Sequence, residues 1–177
     1  MRTRELILSG GLRMVETKEN RTIFNIERII SGGQTGADRA ALDVALELGI
    51  SCGGWCPKGR KAEDGPIDTH YPVRETTSAN YSVRTERNVR ESDGTLILAK
   101  GQPRTGTALT IKFAQKHKKP YVVRDPFVNK DLETVRMWLE LNKIRILNVA
   151  GPRESEVPGI RDRAFEFLKE LFVKSSL

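Results

Sequence analysis

Aromatic residues, cysteines and histidines are all scarce in this chain. Phe, Trp and Tyr make up 6% of its 177 residues, too few for the aromatic platforms that stack single-stranded nucleic acids. The two cysteines and two histidines show no spacing typical of a zinc site, and we interpret Cys52 and Cys56 as reduced thiols. The sequence therefore predicts no metal site, and the alternative left open is coordination by the Cys56 thiolate.

Long apolar runs are absent as well. No stretch approaches the roughly 20 apolar residues that span a bilayer. The apolar run near the N-terminus, residues 6–8, is too short for a signal peptide. These absences predict a cytoplasmic protein that does not associate with membranes.

Basic residues outnumber acidic ones. Thirty Lys and Arg against 23 Asp and Glu give a formal net charge of +7, which suits an anionic partner. Because the basic residues are spread along the chain and aromatics are few, we expect a small phosphorylated ligand and not a nucleic acid.

The chain divides into a short N-terminal extension, residues 1–25, and one domain, residues 26–177. The extension is charged and interrupted by glycine, and we expect it to be poorly attached. In the domain, apolar strands alternate with amphipathic helices, and continuous apolar runs such as 95–98 indicate strands covered on both faces. The predicted fold class is α/β: a single Rossmann-like, doubly wound, mainly parallel sheet of about five or more strands, with helices on both faces. Strands are predicted over 28–31, 51–55, 94–99, 121–124 and 144–150, and helices over 37–48, 81–91, 107–117, 131–142 and 159–172.

Four polar segments follow predicted strands directly: residues 32–38, 53–65, 100–107 and 151–154. Ligands of such folds bind outside the carboxyl ends of the strands, so the fold would gather these segments. The first is a glycine-rich turn that leads into a helix, where free N–H groups and the helix dipole favour an anion. It matches neither the dinucleotide fingerprint nor a P-loop, so a plain strand-to-helix connection remains the alternative.

The third segment repeats this strand-to-helix arrangement. Thr105 and Thr107 can cap the helix through their hydroxyl groups, or the same groups can hold a phosphate with Arg104 adding charge. Two such loops in one parallel sheet, together with the basic balance, favour the anion interpretation.

Two further sets of polar residues are candidates. Arg84, Arg87 and Asn88 share one helix face, which is either solvated or directed at a ligand cleft. In the long polar segment after the second strand, Trp55 can stack on a flat heterocycle or fill the core. Glu63 and Asp64, in the same segment, can act as acid or base, although Asp64 followed by glycine is also typical of a turn.

Five ordered blocks of sequence carry a family resemblance: residues 31–40, 54–65, 84–89, 92–98 and 105–110. Together they resemble the putative molybdenum carrier family. This is a branch of a Rossmann-like group that also contains lysine-decarboxylase-like and cytokinin-activating (LOG) proteins. The resemblance covers about residues 26 to 172.

The resemblance implies a nucleotide-like or pterin-like phosphorylated ligand, most specifically the molybdenum cofactor (molybdopterin), bound by a homo-oligomer. The first loop would bind one part of the ligand, and residues 104–107 would hold its phosphate or molybdate group. The predicted binding residues are Gly32, Gly33, Gln34, Thr35, Gly36, Asp38, Trp55, Lys58, Arg84, Arg87, Asn88, Arg104, Thr105, Gly106 and Thr107.

The cytokinin-activating phosphoribohydrolases resemble the chain in part. Their arginine maps onto Arg87 and their glycine-rich loop onto residues 105–107, but residues 108–110 lack the glutamate that should follow. Cleaving an N-glycosidic bond calls for a carboxylate near the departing base or the attacking water. The catalytic candidates, should there be catalysis, are Arg87, Asp38 and Asp64, with Glu63 as a further acid. A cofactor-binding or carrier protein is therefore predicted first, with a nucleoside-monophosphate phosphoribohydrolase-like enzyme or a nucleotide sensor as alternatives.

Overall fold

The computed structural model describes residues 26–128 and 131–173, so the predicted extension over residues 1–25 lies outside it. A five-stranded parallel sheet forms the centre. Its strands are β1 (Arg28–Ile30), β2 (Ser51–Gly53), β7 (Gly94–Leu98), β8 (Tyr121–Arg124) and β9 (Ile146–Ala150). Their order in the sheet is β2-β1-β9-β7-β8. The α/β, Rossmann-like sheet predicted from the sequence is confirmed.

Five helices cover the sheet in two layers. They are α1 (Ala37–Leu48), α2 (Tyr81–Arg90), α3 (Thr105–Lys116), α4 (Leu132–Leu141) and α5 (Ile160–Phe172). α5 packs against α1 and α4, whereas α2 packs against α3. Because parallel crossovers are right-handed, connections that run in opposite directions along the sheet place their helices on opposite faces. The structure is therefore a three-layer α/β/α sandwich.

The core explains the sequence pattern of the central strands. All five residues of β7 are buried, because helices cover both of its faces, and this is why its apolar run is continuous and not alternating. Leu96 and Leu147 contribute to the core from the sheet, and Phe167 contributes from α5, each with no exposed surface. On α1, small alanines at the buried positions let the helix approach the sheet closely.

The polar segment after β2 has more structure than the sequence predicts. The predicted strand over 51–55 breaks at Gly54, whose φ of +126° suits glycine. Beyond it lie β3 (Trp55–Cys56) paired with β6 (Arg74–Glu75), and the hairpin of β4 (Lys61–Ala62) and β5 (Gly65–Pro66). The Arg60 guanidinium stabilises this segment by donating to four backbone carbonyls, those of Ile67, Asp68, Tyr71 and Val73.

None of the helices in the described part of the chain is both long and apolar enough to cross a membrane.

The junction after β9 is packed too tightly for a side chain. A Cβ at Gly151 would lie 2.3 Å from the Leu98 carbonyl oxygen and 2.5 Å from the Ala37 Cβ. We expect Gly151→Ala to lower the free energy of unfolding by about 1–3 kcal/mol, because neither neighbour can move without shifting backbone. Urea denaturation measures the change.

Gly106→Ala is the matched control for this substitution. A Cβ at Gly106 would meet no atom of the described chain within 4 Å, and alanine is the better helix former. Its stability should stay equal or rise. An unchanged midpoint for Gly151→Ala would contradict the packing argument.

Candidate functional site

Three loops meet at the carboxyl edge of the sheet: residues 31–36 after β1, 99–104 after β7 and 151–159 after β9. The loop after β1 leads to a helix on one face, and the loop after β7 leads to a helix on the other. Between those two strands lies β9. This divergence opens a crevice at the strand ends, which is where open α/β sheets bind ligands.

The outer part of the crevice is a cavity of about 480 Å³. Lys100, Arg104 and Thr105 line one side, and Pro152 and Glu156 line the other. Within the described residues, no side chain caps the N-terminus of α3. The Thr105 hydroxyl donates instead to Glu156 Oε1 at 3.1 Å. Of the first-turn N–H groups, that of Thr107 donates to the Arg104 carbonyl oxygen at 3.0 Å, so this helix end offers the N–H groups of Thr105 and Gly106 and a positive dipole to an anion.

A second, inner cavity of about 80 Å³ adjoins the first, since Thr107 and Glu156 line both. Gln34 lines it from the loop after β1, Asp38 from the first turn of α1, and Arg84 from α2. Gln34, Asp38 and Thr107 are 6%, 2% and 4% exposed. The inner cavity is thus small and walled by buried polar side chains.

Asp38 and Arg84 form the buried ion pair of this cavity. Arg84 Nη1 donates to Asp38 Oδ2 at 3.0 Å. A Cβ at Gly32 would lie 1.7 Å from the same Arg84 nitrogen, so only glycine leaves room for the pair. Burial raises the pKa of Asp38, while Arg84 and the backbone amides of Gln34 and Gly151 act in the opposite direction.

Gln34 anchors the glycine-rich loop through its amide oxygen. Oε1 accepts hydrogen bonds from the backbone N–H groups of Thr35 at 3.0 Å and Glu63 at 2.9 Å. Its Nε2 is buried and has no hydrogen-bond partner among the described residues. The loop is therefore held by one end of the amide, and a donor is left over at the other.

Glu63 ties the loops after β1 and β9 together. Its carboxylate accepts hydrogen bonds from the hydroxyl groups of Thr35 and Ser155 and from the Ser155 backbone N–H. Burial raises the pKa of Glu63, but these hydrogen bonds and Arg153 outweigh it and hold the pKa below its usual value. The structure thus gives Glu63 a loop-bracing position.

The Asp64 carboxylate forms an ion pair with a neighbouring arginine. It pairs with Arg39 at 2.5 Å, and 49% of its side chain is exposed. The Arg39 hydrogen bond lowers the pKa of this carboxyl. Of the three predicted acids, only Asp38 is among the described residues that line the two cavities.

Trp55, Arg87 and Asn88 form a separate cluster. The Arg87 guanidinium lies 3.4 Å from the centroid of the Trp55 ring and also pairs with Glu91. Asn88 donates to and accepts from the Trp55 backbone, at 3.0 and 2.8 Å. Neither cavity includes these residues, nor Lys58, in its described lining. The shared helix face is therefore divided, with Arg84 at the crevice and Arg87 against an aromatic ring.

Cys56 lies in a small second core. It has no exposed surface and packs with Leu42, Ile67 and Val73. Burial raises the pKa of its thiol, which favours the protonated, non-ligating form. The described residues contain no cluster of three or more His, Cys, Asp or Glu able to hold a metal ion.

Glu156 is the residue that sequence reasoning missed. The segment predicted after the fifth strand stops at residue 154, whereas Glu156 lines both cavities and contacts α3. A search extended a few residues past each strand end would have included it. No local motif marks it, because its position depends on the path of the whole loop.

The comparisons with known proteins agree with this architecture. Residues 29–172 match the model of the family described as the circularly permutated YpsA SLOG family. A crystal structure from Syntrophus aciditrophicus SB, described as a putative molybdenum carrier protein, is 45% identical, with a TM-score of 0.80. The match covers 83% of this chain and 95% of that one. A comparison with curated proteins found no match. The resemblance predicted from the five sequence blocks is confirmed.

The buried ion pair predicts a pH-dependent variant. The folded-state pKa of Asp38 is raised, so stability falls as the pH rises above the ordinary value of 3.8. Arg84→Met removes the group that opposes this rise. We expect a loss of about 3–5 kcal/mol in unfolding free energy at pH 7, and a smaller loss near pH 4, where the raised pKa leaves more of the carboxyl protonated than at pH 7.

Guanidinium denaturation at the two pH values measures this difference. Arg90→Met, at an exposed position of the same helix, is the control and should change stability little at either pH. A loss for Arg84→Met that is equal at both pH values would show that packing, and not the buried charge, is responsible.

Proposed function

The chain belongs to the circularly permutated YpsA SLOG family, and on that basis we propose that it binds a phosphorylated nucleotide- or pterin-type ligand at the strand ends. The observation that carries this proposal is the pair of connected cavities, of about 480 and 80 Å³, at the carboxyl edge of the sheet. The outer one suits an anionic group and the inner one a polar group of the same ligand.

The phosphate would lie in the outer cavity, at the start of α3. There the unbonded first-turn N–H groups of α3 and its dipole would attract an anion, and the Arg104 and Lys100 side chains of the lining add positive charge. Thr105 and Thr107 bring hydroxyl groups to the same wall. This supports the anion interpretation of residues 104–107 over a purely structural cap.

The molybdenum cofactor is the more specific proposal, as cargo. The similar structure described as a putative molybdenum carrier protein supports it, and the outer cavity has the positive side chains that the phosphate end of a pterin cofactor needs. The one thiol considered as a ligand, Cys56, is fully buried in the second core. The protein would thus hold the cofactor by its organic and phosphate parts, without a bond from this cysteine to the metal.

Native mass spectrometry of gently purified protein, with metal analysis of the same sample, tests these statements. A co-purified pterin phosphate with molybdenum would support the carrier function, and the spectrum would count the subunits of the proposed homo-oligomer. A nucleotide without metal would favour the sensor or the hydrolase. Absence of any bound molecule, together with no binding of added nucleotides, would overturn the proposal.

Removing the arginine of the outer cavity should weaken binding. We expect Arg104→Ala to reduce affinity for a 5′-nucleotide by about 1–3 kcal/mol, the usual contribution of a charge-assisted contact. Isothermal titration calorimetry measures it. Lys112→Ala, which removes a positive charge from an exposed position of the same helix, should leave affinity nearly unchanged. Equal affinities for the two variants would rule out a phosphate contact by Arg104.

A second candidate function, hydrolysis of a nucleotide N-glycosidic bond, is favoured by one specific observation. Residues 108–110 contain no acid, but another loop supplies one to the same place. The Glu156 carboxylate accepts a hydrogen bond from Thr105, the first residue of α3, and lines both cavities. A carboxylate there can orient a water or protonate a departing base.

Incubating a panel of nucleoside 5′-monophosphates with excess protein separates the two functions. For the binding protein we expect no release of free base by chromatography. Should base appear, Glu156→Gln should abolish release while retaining nucleotide binding, because it removes the proton-transfer group and keeps the shape. Release that survives Glu156→Gln would exclude this residue as the acid.

A further inference from the structure

The orientation of the Gln34 amide is decided by its surroundings. Its Oε1 accepts two backbone N–H bonds, from Thr35 and Glu63. An NH₂ group cannot accept, so turning the amide over would break both bonds. The group that Gln34 leaves for another molecule is therefore a hydrogen-bond donor, Nε2.

A second residue that lines the same cavity also has an unpaired hydrogen-bond donor. Arg84 lines the inner cavity with Gln34. Its Nη1 is used by Asp38, while its Nε is buried without a partner in the described part of the chain. Buried donors are almost always paired, with protein, water or ligand. Unpaired Nε groups also occur on Arg28, Arg39, Arg124 and Arg136. The specific indication of a missing acceptor is therefore Gln34 Nε2, with Arg84 beside it in the cavity lining.

The charge of the cavity indicates which kind of acceptor. The Asp38 carboxylate already pairs with the Arg84 guanidinium, and the other cation of the lining, Arg153, already lies 3.9 Å from Glu63 and 3.6 Å from Glu156. A further anion would therefore meet acids without an uncommitted positive charge. An uncharged acceptor has no such penalty. A cavity of about 80 Å³ has room for two or three waters, at roughly 30 Å³ each, or for the edge of a ring that carries one oxygen.

We propose that the inner cavity receives an oxo group on the ligand's heterocycle, with Gln34 Nε2 and Arg84 Nε as its donors. This rests on the proposed function, which places the ligand's phosphate in the outer cavity. A carbonyl oxygen has two lone pairs and accepts both bonds, whereas a ring nitrogen has one. An exocyclic amino group would bring a donor against donors. The substrate class is thus lactam heterocycles, such as hypoxanthine, guanine and pterin rings, in preference to adenine.

A matched pair of nucleotides tests this on the unmodified protein. Inosine 5′-monophosphate has the oxo group, and purine riboside 5′-monophosphate lacks it together with the proton on ring N1. We expect inosine monophosphate to bind at least about tenfold more tightly, because the analogue leaves buried donors unpaired. Calorimetry at pH 8 measures both dissociation constants. Equal affinities would overturn the inference while leaving the phosphate site standing. No binding of either nucleotide would overturn the inference, and if no pterin phosphate co-purifies either, the proposed function fails with it.

Substitution at position 34 assigns the preference to this side chain. Gln34→Glu keeps an oxygen for the two backbone N–H groups and replaces the donor by an acceptor, so the preference for inosine monophosphate should disappear. Gln34→Met, neutral and of similar length, should also lose the preference for inosine monophosphate. This variant is measured instead if Gln34→Glu does not fold. Gln115→Glu, the same change at an exposed position of α3, should keep it. A preference that survives in a folded Gln34 variant would exclude Gln34 as the donor.

Discussion

The ion pair between Asp38 and Arg84 is the interaction on which the site depends. It joins the first turn of α1 to α2, two helices on opposite faces of the sheet, across its carboxyl edge. Because both charges are buried, each requires the other, and the position of α2 is coupled to that of the glycine-rich loop. This pair also explains the glycine at position 32, since any side chain there would occupy the place of the Arg84 guanidinium.

This pair also divides the crevice into two chemical environments. In the inner cavity the charges of Asp38 and Arg84 cancel, and the unpaired groups are two N–H donors, one on the neutral Gln34 amide and one on the already paired Arg84 guanidinium. The outer cavity has positive side chains and an open helix N-terminus. A ligand with a polar, uncharged ring at one end and a phosphate at the other complements both environments. Glu156, which lines both cavities, lies where these two ends of a ligand would join.

The candidate site was predictable from sequence only in part, for reasons visible in individual residues. Helical spacing placed Arg84, Arg87 and Asn88 on one face, yet spacing says nothing about which neighbour lies opposite each residue. Arg84 meets an acid at the crevice, whereas Arg87 stacks on Trp55. Helical spacing could not predict that Arg84 and Arg87 have different partners, because the Trp55 ring belongs to a strand about 30 residues away in the sequence.

The alternation of strands and helices, the parallel sheet and the glycine-rich turns at its carboxyl edge could all be predicted from the sequence. These follow from local periodicity and from the few residue types that tolerate positive φ or close approach. The strand order, the backbone conformation of the segment around Arg60 and the contact of Glu156 with α3 became clear only in the folded structure. Each of these depends on contacts between residues far apart in the chain, whose energies are set by burial and packing that no local pattern encodes.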